Sequence, residues 1–269
     1  MTLILALTAS DGIVLASDGQ ITHGMVRSTG KKIRGLGGTC LWAAAGELAL
    51  IQRVEERLLV VPRTGSLRQV RDFISEVVCQ CVSELLKLDF RSGFCGQDAN
   101  QLLNLHPADF VFTEVTESQG PLVLHVCHNG TSEWIIDRPF ATGSGDMFAY
   151  ALLRKYHGVK LNLSQASLLA YKVLEEAIEV GAYGLGYPID VWHVNKDSLR
   201  QLSEAEIAAL QDQSAQIREM EVKLLVGDSG RITAELNTDD STMKTDGLEF
   251  QHNMRDIHPC EAASHDQQV

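Results

Sequence analysis

A threonine directly behind the initiator methionine is the first residue whose type and position could do chemistry. Removal of Met1, which is usual before a small residue, would leave Thr2 with a terminal α-amino group. The reference pKa of such an amine is about 7.7–8.0, so part of it is uncharged near neutral pH and can accept the proton of its own hydroxyl. Thr2 is therefore a candidate nucleophile that carries its own base. The alternative is that Thr2 is only the first residue of a buried strand.

Two charged residues, Asp18 and Lys32, have the types that would support such a nucleophile. Asp18 follows the apolar run IVLA, and a carboxylate at the end of a buried strand needs a partner because burying a lone charge is costly. Lys32, at the mouth of another predicted strand, is the expected partner. Its positive field would lower the pKa of the Thr2 amine and hydroxyl. The alternative is a structural ion pair, or two solvated charges.

Two glycine-containing stretches complete the set of candidate residues. Gly46 ends the run AAAG just before a predicted helix, where a backbone N–H suits a developing oxyanion. Ser144 stands between glycines in ATGSGD, where a predicted strand turns into a helix. Its hydroxyl could relay protons or hold the terminal amine, although such a run is more often only a tight turn.

The chain groups its predicted strands in runs and its predicted helices in pairs. Apolar and β-branched runs predict strands in TLILAL, IVLASDGQI, KKIRGLGGTCLWAAAG, ADFVFTEVT, PLVLHVCHNG, SEWIID and YPIDVWHVNKD, with Asp11-Gly12 as a hairpin turn. Helical spacing predicts helices in ELALIQRVEERLLVV, SLRQVRDFISEVVCQCVSELLKL, GDMFAYALLRKYHG and LSQASLLAYKVLEEAIEVGA, with N-caps at Ser66 and Ser164 and an end at Pro62. Residues 91–107 read as a loop. This grouping favours an α+β fold, a four-layer αββα sandwich of two antiparallel sheets flanked by helix pairs.

The last quarter of the chain has a different composition from the rest. Residues 1–200 are predicted to form one domain and 201–269 a C-terminal extension. A capping-box pattern at Ser203–Glu206 opens a predicted helix over about 203–225. Residues 227–269 contain nine Asp and Glu against three Lys and Arg, which predicts an acidic, flexible tail.

The overall composition excludes several classes of function. The net charge of −12 argues against nucleic acid and anionic membranes as partners, and no apolar run is long enough to span a bilayer. The start lacks the features of a signal peptide, so a cytoplasmic location with reduced thiols is expected. The six cysteines lack the CxxC spacing of metal sites, so neither a metal nor a cofactor is expected.

Taken together, the order and spacing of these residues resemble a proteasome β-type subunit of the N-terminal-nucleophile hydrolase superfamily. The resemblance runs from Thr2 to about Val194. Asp18 stands sixteen residues after Thr2, and Gly46 fourteen residues after Lys32, as in the family. The Gly-Ser-Gly at Ser144 and the closing YPIDVWHV also match. Within the family, SDGQIT is similar to HslV, whereas GLGYPIDV and the C-terminal extension look more like Anbu and the β-proteobacterial proteasome homologue.

The resemblance implies a threonine-type endopeptidase that works inside stacked homo-oligomeric rings. Thr2, Asp18, Lys32 and Ser144 would be its catalytic side chains, and the Gly46 backbone N–H its oxyanion donor. The pocket for the residue before the cut bond would be lined by Ile21, Gly30, Ala44 and Leu48. Polypeptides would be the substrate, and an ATPase would be a regulator.

One segment departs from the family pattern. After the long helix the family carries an Asp and a Ser, whereas this chain has Gly181 and Gly184. Either Ser144 alone or an approaching Glu179 would then hold the terminal amine. The departure leaves open a catalytically inactive or weakly active ring or scaffold. A small-molecule amidase of the same superfamily is a further alternative, although DVWHV and the Gly-Ser-Gly speak against it.

Overall fold

The computed structural model of the chain describes residues 2–23, 26–60, 65–85, 108–181 and 184–226. Contacts divide the chain into two units, Met1–Met220 and Glu221–Val269. The described part of the second unit is the end of one helix, so the predicted tail and the predicted loop 91–107 lie outside the described residues. In the described ranges, no helix is both long and apolar enough to cross a membrane.

Twelve strands in the described residues form two five-stranded antiparallel sheets and one ribbon. They are β1 (Leu3–Ala9), β2 (Gly12–Asp18), β3 (Gln20–His23), β4 (Val26–Thr29), β5 (Ile33–Gly37), β6 (Cys40–Gly46), β7 (Ala108–Thr116), β8 (Gly120–Val126), β9 (Ser132–Trp134), β10 (Phe140–Gly143), β11 (Ile189–Val194) and β12 (Leu199–Gln201). The first sheet has the order β10-β1-β2-β11-β12 and the second the order β5-β6-β7-β8-β9, while β3 and β4 pair only with each other.

Five α-helices in the described residues flank these sheets. They are α1 (Leu48–Val60), α2 (Leu67–Glu84), α3 (Asp146–Leu153), which continues into a 3₁₀ turn at Arg154–Tyr156, α4 (Leu163–Glu179) and α5 (Glu204–Val226). Ser66 is the N-cap of α2, as predicted. The capping box that opens α5 is also formed, because Glu206 accepts from the Ser203 N–H at 2.8 Å.

The predicted N-cap of α4, Ser164, is wrong. The N-cap is Asn162, whose side chain accepts from the Gln165 N–H at 2.9 Å while the Gln165 side chain accepts from the Asn162 N–H at 3.1 Å. This reciprocal pair satisfies two exposed helix-end donors, and Ser164 lies inside the first turn.

The predicted strand IVLASDGQI is divided at Gly19 into β2 and β3. A Cβ atom at Gly19 would lie 2.5 Å from the carbonyl oxygen of Pro188, so the chain that leads into β11 packs directly against this position. The Gly19 N–H donates to the Gly186 carbonyl at 3.0 Å, which turns β3 away from the first sheet. Three other strands also differ from the prediction: β9 is shorter than SEWIID, and β4 and β12 were not predicted.

Three buried apolar clusters correspond to the spaces between four layers. One lies between the first sheet and helices α3 and α4, one between the two sheets, and one between the second sheet and helices α1 and α2. Alternate residues of β1 show the division, because Leu3 and Leu5 face the helices whereas Ile4 and Ala6 face the second sheet. The predicted α+β sandwich with an αββα layer order is confirmed.

Candidate active site

Strand register brings Thr2 beside two of the other candidate residues. Thr2 directly precedes β1, which pairs with β10 on one side and β2 on the other. Leu3 is opposite Gly143, and Ile4 is opposite Ser17. Ser144, the residue after Gly143, therefore lies beside Thr2, which is only 9% exposed. Asp18, the residue after Ser17, lies opposite Leu3, the residue next to Thr2.

Asp18 is fully buried and surrounded by hydrogen-bond donors. Its Oδ1 accepts from the Leu3 N–H at 2.9 Å and from Lys32 Nζ at 2.6 Å. Its Oδ2 accepts from the backbone N–H of Gln20 at 3.2 Å and of Gly186 at 3.3 Å. These four donors offset the cost of burying the carboxylate, and they fix the strand end on which Thr2 stands.

The Asp18–Lys32 pair expected from the sequence is therefore formed. The Lys32 side chain is 6% exposed. Burial lowers the pKa of Lys32 from its ordinary value of 10.5, and the Asp18 carboxylate opposes that shift. A buried lysine of lowered pKa is a stronger proton donor and a source of positive field beside Thr2.

Ser144 contacts the backbone of Thr2 at both ends of the residue. The Thr2 N–H donates to Ser144 Oγ at 3.2 Å, and the Ser144 hydroxyl donates to the Thr2 carbonyl at 3.4 Å. The two glycines beside Ser144 permit this approach. A Cβ atom at Gly143 would overlap the Thr2 carbonyl, and one at Gly145 would lie 2.8 Å from Leu185.

Replacing Gly143 by alanine is expected to destabilise the fold and displace Thr2. Its φ of +104° strains any other residue, and the added methyl group meets the Thr2 backbone. Gly158 is a matched control, because its φ is +79° and nothing lies within 4 Å of its Cβ position. We expect the free energy of unfolding in denaturant to fall by about 1–2 kcal/mol in Gly158→Ala and by at least about 3 kcal/mol in Gly143→Ala. Equal losses would contradict this account of Gly143.

Gly46, the expected oxyanion donor, lies at the end of β6 and two residues before α1. Its φ of +145° lies in a region that favours glycine. Gly46 lines the same cavity as Thr2 and Lys32. A backbone N–H at this position, next to the start of a helix, is suited to stabilise negative charge on an atom bound in the cavity.

This cavity has a volume of about 130 Å³. Three of the four residues predicted for a substrate pocket line it: Ile21, Ala44 and Leu48. The fourth, Gly30, is not a lining residue but lies behind Ile21, where a Cβ atom would overlap the Ile21 side chain. Five further residues line the cavity and were not predicted from the sequence: Gln20, Lys31, Arg34, Glu47 and Ile51.

Only one of these missed residues had a usable signal in the sequence. Ile51 is one turn after Leu48 on the apolar face of α1, so helical spacing could have added it. The other four are polar residues, and nothing in their type or spacing predicts that they line a pocket.

A larger cavity of about 510 Å³ lies around the far end of β1, where Leu7 and Ser10 are among its lining residues. None of the predicted site residues lines it.

The segment after α4 supports the site through its backbone. The Gly186 N–H donates to Asp18, and the Gly184 carbonyl accepts from Gln20 Nε2 at 2.5 Å. Glu179, the alternative partner for the amine, accepts from Arg218 at 2.6 Å. Ser144 Oγ lies 3.2 Å from the Thr2 nitrogen, within hydrogen-bonding distance.

Comparisons with known proteins agree with this architecture. Residues 2–95 match the family model of the proteasome subunit. A proteasome subunit beta of Methanococcus maripaludis is 37% identical over 67 residues, which cover 25% of this chain and 30% of that protein. A proteasome subunit beta of Nanoarchaeum equitans is 24% identical over 204 residues, which cover 75% of this chain and 97% of that protein.

Solved structures of Anbu, the ancestral beta-subunit, have a similar fold. The protein from Yersinia bercovieri superimposes with a TM-score of 0.66 at 15% identity and covers 84% of this chain and 97% of its own. A Gly-1 mutant from Hyphomicrobium sp. strain MC1 gives a TM-score of 0.62 at 17% identity, with 83% and 97% coverage.

Proposed function

Because the chain belongs to the proteasome β-type family, we propose that it is a threonine-type endopeptidase whose nucleophile is Thr2 after removal of Met1. The observation that carries the proposal is the single site that joins Thr2, Ser144, Asp18 and Lys32, of which Thr2, Asp18 and Lys32 are buried. The Thr2 nitrogen lies 3.2 Å from Ser144 Oγ, and Lys32 Nζ lies 2.6 Å from Asp18. These are the groups that an N-terminal nucleophile requires: an oriented amine and an adjacent positive charge.

The proposed reaction has two steps, acylation of Thr2 and hydrolysis of the resulting ester. The Thr2 amine takes the proton of the Thr2 hydroxyl, whose oxygen attacks the peptide carbonyl carbon. The Gly46 N–H and the Lys32 ammonium stabilise the resulting oxyanion, and the C–N bond then breaks as the Thr2 ammonium donates the proton to the leaving amine. Water attacks the Thr2 ester with the same amine as base, which releases the carboxylic acid and restores the hydroxyl.

Intact mass of the purified protein, with and without an epoxyketone inhibitor, tests this proposal. We expect loss of Met1 and a single adduct that peptide mapping assigns to Thr2, since the reagent reacts with both the hydroxyl and the amine. Retained Met1 together with full peptidase activity would contradict the proposal. Trimmed protein without an adduct would also contradict it.

Trimmed protein that forms no inhibitor adduct would favour an inactive ring or scaffold. That alternative is motivated by Gly181 and Gly184, which lack the carboxyl and hydroxyl side chains found there in the family. In this chain the segment contributes the Gly184 carbonyl and the Gly186 N–H instead. An inactive scaffold would assemble normally but would neither hydrolyse peptides nor react with the inhibitor.

The cavity beside Thr2 is proposed to accept the side chain before the cut bond. Ile21, Ala44 and Leu48 would contact a small or aliphatic side chain. Ile21→Ala is expected to lower kcat/KM for a peptide with leucine at that position by about 10-fold, relative to one with alanine, because apolar contacts to the larger side chain are lost. Ile136→Ala is the control, since Ile136 is 69% exposed and does not line the cavity. An unchanged ratio between the two peptides would contradict the assignment.

We also propose that copies of the chain assemble into stacked rings that enclose this site. Met147, Phe148 and Tyr150 are exposed on α3, three to six residues after Ser144, and such an apolar surface favours contact with another copy. Native mass measurement should give a multiple of six or seven chains, and a dimer would instead favour the small-molecule amidase.

A cytoplasmic location, polypeptide substrates and an ATPase regulator stay predictions from the family resemblance.

A further inference from the structure

Three side chains of different ligand types meet at one end of the β7–β8–β9 ladder. Asp109 is in β7, His125 is in β8, and Cys127 directly follows β8. One potential ligand atom from each lies within 4.8 Å of those of the other two, and all three residues are partly buried. None of them lines the cavity beside Thr2, so the catalytic proposal does not account for this cluster.

We propose that Asp109, His125 and Cys127 bind a borderline divalent cation, of which Zn²⁺ is the best example. His125 Nε2 is 3.3 Å from Asp109 Oδ1, and Cys127 Sγ is 3.9 Å from the same nitrogen. In a tetrahedral zinc site with bond lengths of about 2.0–2.1 Å to nitrogen and oxygen and about 2.3 Å to sulfur, the ligand atoms are separated by about 3.3–3.6 Å. The nitrogen and oxygen are therefore already at the required separation.

The sulfur requires only a local adjustment. It is 4.0 Å from His125 Nδ1 and 3.9 Å from Nε2, so it lies nearly equally far from both ring nitrogens. Rotation about the Cα–Cβ bond of Cys127 would move the sulfur toward the Nε2 side without displacing the strand. The fourth position of the tetrahedron would be taken by water, since all three ligand residues are partly exposed.

A carboxylate on the opposite side of the imidazole supports this assignment. Glu133 in β9 lies 3.4 Å from His125 Nδ1, so the Nδ1 proton can be donated to Glu133 while Nε2 binds the metal. Arg138 Nη2 donates to the same Glu133 oxygen at 3.2 Å, and the His125 ring lies against Phe140, with centroids 4.8 Å apart. A second carboxylate and a fixed ring are the features that orient a metal-binding histidine.

The ligand types identify the class of cation. Mg²⁺ and Ca²⁺ prefer oxygen ligands, whereas thiolate and imidazole together favour Zn²⁺ and related transition metals. A hydrogen-bonded cluster without metal would need His125 and the two carboxylates but would have no requirement for the thiol. Cys127 is therefore the residue that distinguishes a cation site from an ordinary polar cluster.

Cobalt absorption and zinc titration of the chelator-treated full chain test the proposal. With a phosphine as reductant, Co²⁺ should produce a thiolate-to-cobalt band in the near ultraviolet, and Zn²⁺ should abolish it at one equivalent. Cys127→Ser should remove the band, and Asp109→Asn should weaken Zn²⁺ binding by at least about 10-fold. Glu133→Gln should weaken it by about 10- to 100-fold while the band persists, because Glu133 does not touch the metal.

Cys79→Ser is the matched control, because Cys79 is an exposed cysteine outside the cluster. It should leave both the band and the zinc affinity unchanged. No cobalt band in the parent protein, or a band that survives Cys127→Ser, would overturn the proposal. Thermal unfolding midpoints with and without Zn²⁺ show whether each variant is folded. Zn²⁺ should raise the midpoint of the parent and of Cys79→Ser but not that of Cys127→Ser. None of these readouts depends on peptidase activity.

Discussion

Thr2→Ala should lower kcat/KM for peptide hydrolysis by at least about 10³-fold, because alanine has no hydroxyl to attack the carbonyl carbon. The substitution isolates the nucleophile well. Alanine, like threonine, is small enough to allow removal of Met1, so the terminal amine is retained. The backbone of residue 2 keeps its hydrogen bonds to Ser144, since these involve only the Thr2 nitrogen and carbonyl oxygen. Hydrolysis of a fluorogenic peptide and the intact mass with epoxyketone are the two measurements.

Thr2→Ser provides the corresponding positive control. Serine keeps the hydroxyl and the amine on one residue, so it should retain measurable hydrolysis and the inhibitor adduct. Native mass measurement should show that the parent and both variants assemble with the same number of chains. Peptidase activity in trimmed Thr2→Ala equal to that of the parent would show that another residue attacks the substrate, and the role proposed for Thr2 would be wrong.

Lys32→Met should affect both stability and hydrolysis. Lys32 is 6% exposed and Asp18 is fully buried, so removing the lysine leaves a buried carboxylate without its cationic partner. Breaking such a pair typically costs about 3–5 kcal/mol of the free energy of unfolding. Hydrolysis should fall by about 10²- to 10³-fold because the positive charge beside the developing oxyanion is lost. Denaturant unfolding and kcat/KM measure the two effects separately.

The double variant Asp18→Asn/Lys32→Met separates the structural role of the pair from its catalytic role. With both charges removed, the double variant should be more stable than Lys32→Met alone, whereas hydrolysis should stay as low. Lys196→Met is the matched control, because Lys196 pairs with Glu117 at 3.5 Å but both side chains are exposed. It should cost less than about 1 kcal/mol and leave hydrolysis unchanged. Recovery of hydrolysis in the double variant would rule out a catalytic role for the lysine charge.

Much of the fold is encoded in local patterns that can be read without the structure. The hairpin between β1 and β2 and the capping box at Ser203 each depend on neighbours within about four residues, and both are present. The two turn residues of the hairpin are Ser10 and Asp11, one position before the predicted Asp11-Gly12. The pairing of Asp18 with Lys32 follows from a general cost, since a buried carboxylate must find a partner. These features were readable because their physical causes are short-range or independent of geometry.

Other features depend on contacts between segments far apart in the chain. Gly19 divided a predicted strand because the chain at Pro188 packs against it. The cap of α4 is different, because its cause is the local pair of Asn162 and Gln165. Nothing in the sequence near Asp18 indicates that the Gly186 N–H, 168 residues away, donates to it. The polar lining of the cavity, including Lys31 and Arg34, was missed for the same reason.

The sequence by itself determined the layer order of the fold, the candidate nucleophile and the charges expected beside it. Only the tertiary structure decided which groups surround Thr2 and brought Asp109, His125 and Cys127 together, although the cysteine spacing had suggested no metal site. The physical reason is that secondary structure follows local periodicity, whereas the surroundings of a side chain are set by strand register and sheet packing. Strand register places residues from different strands next to each other, and their spacing along the sequence does not predict which residues become neighbours.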